Sequence, residues 1–231
     1  MFLAATAFVL ITMGQSSAGD LGRVEEQRRL EACIDQIKED PAAAYDAGLA
    51  WVNEGGRPFA RQCTALALVE LGHEAEGALR LENLANASNG GSLRQRLIYL
   101  TQAGNAWLLA SLPEAALVTI NNALSLNQSD PHLHADRAAA YMQLEKWSEA
   151  EADLSFAHGQ LPRDIEVLKM RAEARLNLGD LQGAELDVAD AIAINSKDIP
   201  TLVLRGRVRE AMRVRSEESI SSNGSPLIIG D

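Results

Sequence analysis

From Leu97 onward the chain repeats itself at a fixed period of 34, with no insertion or deletion between copies. Small residues hold the clearest columns: Ala116, Ala150 and Ala184, then Ala123, Ala157 and Ala191. Gly104, Ala138, Ala172 and Gly206 form another, Ile120, Leu154 and Val188 an apolar one, and Asp130, Asp164 and Asp198 an acidic one. A fixed period of this length with small residues at fixed offsets is the mark of a repeated helical hairpin. One hairpin cannot bury its own apolar face, so each must stack on its neighbours. Strand-like alternation of Val, Ile and Thr is absent and aromatics are only 4% of the 231 residues. The fold class expected is therefore all-α, a solenoid of stacked antiparallel helical hairpins.

These columns resemble the tetratricopeptide repeat, a unit of the same period with a large residue, a small residue and an aromatic in its first helix. The second copy, 131–164, carries the pattern best, with Ala138, Tyr141, Ala150, Leu154, Ala157 and Pro162. The first, 97–130, has Leu100, Gly104, Trp107, Ala116, Ile120 and Ala123. The third, 165–198, has Leu168, Ala172, Leu178-Gly179-Asp180, Ala184 and Ala191, but places Arg175 where the family prefers an aromatic. The resemblance implies a right-handed superhelix whose first helices line a concave, partner-binding surface.

Upstream, residues 21–92 read as two divergent hairpins. Leu30, Cys33, Ile34 and Ile37 mark one face of a first helix,. Asp40-Pro41 starts the second, Pro58 opens a third that Gly72 closes, and Ala75 to Ala87 forms the fourth,. Asn89-Gly90-Gly91-Ser92 is read as a turn. Residues 199–215 form a lone capping helix, with Arg205, Arg207, Arg209, Glu210, Arg213 and Arg215 supplying the polar outer face that a terminal repeat needs,. Residues 216–231 lack periodicity and are expected to be a disordered tail.

The segment 1–18 reads as a signal peptide. Phe2 to Met13 is uncharged and apolar or small, and Ser16 and Ala18 precede a cut at Gly19, although no Lys or Arg leads the run,. Such a run falls short of the roughly 20 residues needed to span a bilayer. The expected location is periplasmic or secreted, with no stable membrane insertion after cleavage. Cys33 and Cys63 lie close to one hairpin apart, where first helices run side by side, and an exported chain can oxidise such a pair,. The other reading is two small buried residues. A net charge of −11 argues against nucleic acid, which needs a clustered basic face, and against anionic lipid,.

Two columns of charge run inside the repeats: Arg137, Arg171 and Arg205 in the first helix, Asp153 and Asp187 in the second. They read as an Arg–carboxylate pair within each hairpin or as a ligand-binding row; the first copy lacks both members, having Ala103 and Thr119,. His132 and His134 point to different faces of a helix, and His73 and His158 lack a companion at ligand spacing, so neither metal nor cofactor is expected. No phosphate loop, nucleophile elbow or zinc-protease motif occurs, and no enzyme is expected.

The expected function is a non-enzymatic scaffold or adaptor of the cell envelope that binds a peptide or protein segment in the groove. A self-associating structural component of an envelope assembly is the alternative. Groove residues implied by the resemblance are Asn105, Leu108, Ala135, Ala139, Met142, Lys169, Glu173 and Arg207, with Ile98, Thr101 and Leu176 beside them. The carboxylate clamp of chaperone-binding members falls here on Thr101, Asn105, Asp136, Glu166 and Met170, of which only Asn105 agrees. An internal or helical segment with an apolar anchor is therefore expected; the alternative is a merely solvated concave wall.

Overall fold

The computed structural model describes residues 18–55 and 58–223. Eleven helices follow one another, with no strand among the described residues: α1 (Ala18–Glu39), α2 (Pro41–Asn53), α3 (Pro58–Glu70), α4 (Glu74–Asn86), α5 (Leu93–Leu109), α6 (Pro113–Leu126), α7 (Pro131–Gln143), α8 (Trp147–Gln160), α9 (Ile165–Leu178), α10 (Leu181–Ile194) and α11 (Ile199–Asn223). Each packs on the next, and the odd-numbered helices also meet each other, α1 with α3, α5 with α7, α7 with α9 and α9 with α11. This is the stacked-hairpin solenoid that the period requires. Residues 1–17, expected to belong to a signal peptide, and residues 224–231 of the expected tail lie outside the described residues.

The repeat columns become the core. Ala138, Ala150, Leu154, Ala157, Ala172, Ala184 and Ala191 are all fully buried. Small residues are needed there because the two helices of a hairpin approach too closely for longer side chains. At Gly104 an added Cβ would stand 2.6 Å from Cγ1 of Ile120. The turns keep the same register. Ser111, Glu145 and Gly179, each one period after the last, hold φ at 57°, 56° and 78°. The residue after each donates its backbone N–H five residues back: Leu112 to Trp107 at 3.0 Å, Lys146 to Tyr141 and Asp180 to Arg175 at 2.9 Å. That is a Schellman closure, which satisfies the carbonyls left over at the helix end.

The hairpin α3–α4 repeats this geometry. His73 donates to Leu68 at 2.9 Å after Gly72 at φ 82°. Ala65, Gly77 and Leu81 therefore correspond to Gly104, Ala116 and Ile120, at an offset of 39 in place of the period of 34. The extra residues lie at the α4–α5 junction. Ser92 caps α5 with a full capping box through Gln95, so α5 begins at Leu93, a turn earlier than the repeat boundary at 97 suggests,. Arg96 fastens that turn to the end of α4, donating to the carbonyls of Ala85 at 2.7 Å and Ala87 at 2.8 Å.

Cys33 of α1 and Cys63 of α3 form a disulfide with Cα atoms 6.0 Å apart. Leu30, Ile37, Ala44 and Trp51 pack around it. At the other end the sequence expectation is corrected. Residues 216–223 continue α11 instead of opening a disordered tail. Arg213 holds Glu210 at 2.7 Å and Glu217 at 2.5 Å, and the Ser216 and Ser219 hydroxyls each donate to the carbonyl three residues back. Pairs at these spacings support the exposed stretch of the helix beyond Met212,.

Candidate protein-binding groove

The odd-numbered helices set the groove, and the hairpin interior holds them in place. Asp153 accepts from Arg137 Nε and Nη2, both at 2.7 Å, and Asp187 from Arg171 Nε at 2.9 Å and Nη2 at 2.5 Å. Both aspartates are buried. In the second and third hairpins the charge columns are thus bidentate pairs turned inward, while Arg205 of α11 has no such partner. Three members escaped the sequence reading. His134 Nδ1 lies 2.8 Å from Asp153 Oδ1, and its Nε2 3.1 Å from the Gln128 carbonyl. Arg175 takes the aromatic column and bridges Glu151 of α8 (3.0 Å) and Asp187 of α10 (2.9 Å). In the first repeat, which lacks the ladder, Glu82 accepts from Trp107 Nε1 at 3.1 Å and from the Thr119 hydroxyl. The signal for the first two lay in their spacing from Arg137 and Arg171; Glu82 belongs to the preceding hairpin, in a different register.

Four of the expected groove residues meet at one place. Met142 of α7, Lys169 and Glu173 of α9 and Arg207 of α11 line a hollow of about 520 Å³, together with Met170 and Val203. Arg207 crosses it, its Nη1 and Nη2 donating to Glu173 at 2.5 and 2.7 Å. Lys169 Nζ lies 2.6 Å from Glu166 and 3.7 Å from Asp198. A second hollow of about 790 Å³ adjoins it past Arg207, walled by Leu176, Ala211 and Val214. The result is an apolar trough with one ion pair laid across it.

Nearer the N-terminus the wall is flatter. Ile98 and Asn105 are exposed, while Leu108 and Ala139 are half-buried. Ala135 is a correction: it is buried in the α7–α9 core with Ala138, Val167 and Ala174, so its methyl supports the wall and is not open to a ligand. At the clamp columns, Thr101 turns its hydroxyl back to the Leu97 carbonyl at 3.0 Å. Burial holds the Asp136 carboxyl well up, at about 6, against an ordinary 3.8. The neighbouring Asp130 adds to that rise, and His132 and a hydrogen bond from Asn105 oppose it. Among the described residues no cluster of three His, Cys, Asp or Glu side chains is placed to hold a metal, and no helix is long and apolar enough to cross a membrane.

This arrangement of hairpins defines the fold of tetratricopeptide-repeat domains. MamA from residue 41 to its end, from Desulfovibrio magneticus RS-1, is similar with a TM-score of 0.60 at 16% identity, over 80% of this chain and 99% of that one. A thermophilic TPR protein of Thermus thermophilus gives 0.57 at 24% identity, over 81% and 98%. The first TPR domain of Spaghetti (RPAP3), solved with the HSP90 peptide SRMEEVD bound, gives 0.50 at 21% identity, over 52% and 94%. At these identities the likeness is one of fold. No protein-family model matches the chain.

Proposed function

We propose that this chain is a non-enzymatic interaction scaffold of the cell envelope that holds a peptide or protein segment in the C-terminal half of its concave groove. The observation that carries the reading is the trough shared by α7, α9 and α11. Met142, Met170 and Val203 offer an apolar seat, and the Glu173–Arg207 pair offers both signs of charge. Such a surface suits an amphipathic segment with an apolar anchor, its charges setting direction. The fold supports a peptide mode, since the Spaghetti domain holds one. The charge at the clamp columns argues for an internal segment over a free C-terminal carboxylate. Asp136 and Glu166 stand where a carboxylate would have to be attracted, and Met170 offers no charge. The envelope assignment rests on the apolar leader followed by small residues and on the Cys33–Cys63 bridge, which persists in oxidising compartments,.

The test is capture from the native envelope with tagged mature chain, wild type against Ala139→Arg and Met142→Arg. Both residues are half-buried; Met142 lines the trough and Ala139 lies three residues before it on the same helix. Partners lost with either variant, while the melting temperature holds, support the groove. Capture at wild-type strength by both variants places binding elsewhere.

A further inference from the structure

The last helix carries half of an interaction that the preceding hairpins complete. Arg205, Gly206 and Arg209 fall one full period after Arg171, Ala172 and Arg175. In the third hairpin those two arginines together hold the Asp187 carboxylate. Ala184, three residues before that aspartate, is buried in one cluster with Ala172. The second hairpin repeats the arrangement with Arg137 on Asp153 and with Ala138 and Ala150 buried. Helix α11 docks in the same register, because Arg209 donates to Glu185 at 3.1 Å as Arg175 does to Glu151, one period earlier.

Beyond α11 no described helix follows. A Cβ added at Gly206 meets nothing within 4 Å, whereas at Gly104, the other glycine of this column, it meets Ile120. Arg205 has no hydrogen-bond or ion-pair partner among the described residues. The reason lies in the turn column. Ser111, Glu145 and Gly179 reverse the chain there, but Arg213 stays helical between Glu210 and Glu217. The helix continues to Asn223, and no described residue covers the face that a second helix covers in every earlier repeat.

We propose that this face of α11 docks a helix of a partner protein bearing a small residue, an aspartate three positions later and an apolar residue next. The aspartate sits between Arg205 and Arg209 as Asp187 sits between Arg171 and Arg175. The apolar residue rests on Gly206 as Ile120 rests on Gly104. A guanidinium pair recognises a carboxylate bidentately, so the acid fixes register as well as affinity. On a chain of net charge −11, Arg205 is a cation without an ion-pair partner among the described residues, and it favours a partner helix that brings a carboxylate to it,. A second copy is not the occupant, because its own helices of this pattern, with Asp153 and Asp187, are buried in their hairpins. Gly206 also borders the hollow past Arg207, but Arg205 and Arg209 lie outside the lining of both hollows, so the face stands whether or not the trough binds.

The probe is a peptide with the sequence of residues 181–194, the helix that fills the equivalent cradle one repeat earlier, stapled between the exposed positions 182 and 186. Binding to the full chain is followed by fluorescence anisotropy. Expected is saturable binding that weakens about tenfold or more when the peptide carries Asp187→Asn or the protein carries Arg205→Ala or Gly206→Leu. Arg207→Ala in the trough should leave it unchanged. No saturable binding up to about 1 mM overturns the proposal. So does binding that survives Arg205→Ala but is lost with Arg207→Ala, which puts the peptide in the trough. A dimer dissolved by Gly206→Leu that the peptide does not compete for gives the face to a second copy and also overturns it.

Discussion

The buried aspartates make sharply different demands from the surface acids around them. Asp187 is held by two arginines and Asp153 by one arginine and His134. Removing a buried carboxylate leaves its guanidinium partners without compensation, at about 3–5 kcal/mol. Asp187→Ala should therefore cost about that much and Asp153→Ala less, since the Arg137 side chain stays 24% exposed. Urea melts of the two variants check the order; equal and negligible losses would return the ladder to the surface. Asp136 acts in the opposite sense. Its folded pKa of about 6 lies above the ordinary 3.8, so between those values the folded chain holds the extra proton. The stability this gives is full below about pH 4 and is lost as pH rises through 6. Asp136→Asn should remove that dependence and raise stability at pH 7.5 by roughly 1–2 kcal/mol, discounted because the side chain is only half-buried. Melts at pH 4.5 and 7.5 give the difference directly.

Among elements, the two ends of the solenoid are secured by different means. The Cys33–Cys63 bridge ties α1 to α3, and an unbridged chain should lose roughly 2–4 kcal/mol,. Comparing denaturation of the oxidised chain with Cys33→Ser/Cys63→Ser measures it, and identical midpoints would show the bridge to be dispensable. At the other end α11 is held beyond Met212 by its own charge pairs and by Arg215, which donates to the Gly179 carbonyl at 2.8 Å. Arg213→Ala takes the guanidinium away from both Glu210 and Glu217. Amide exchange should then quicken from Val214 to Asn223 and stay unchanged in α7 to α10. Slower or unaltered exchange along that stretch would mean that packing, and not pairing, holds it.

At the scale of the molecule, the extensive packing among the described residues is between neighbouring hairpins, so stability is close to a sum of local terms,. Asp187→Ala at one end and loss of the Cys33–Cys63 bridge at the other share no partners and should add in a double variant to within about 0.5 kcal/mol. A larger coupling would indicate cooperativity that the nearest-neighbour contacts do not supply. The sequence by itself determined the repeat unit, its register from 97 to 198, the small-residue columns and the columns of Arg and Asp, whose pairing the structure then decided. Each of these is a local rule copied at a fixed interval, and copying makes it legible in one chain. Only the tertiary structure decided the rest. It placed α3–α4 in the repeat register across a longer junction and brought Glu82 to Thr119. It buried Ala135, drew Met142, Lys169, Glu173 and Arg207 around one hollow, and kept α11 straight past the turn column. Those outcomes depend on which helix lies beside which, and at how close an approach. No fixed spacing along the sequence encodes that.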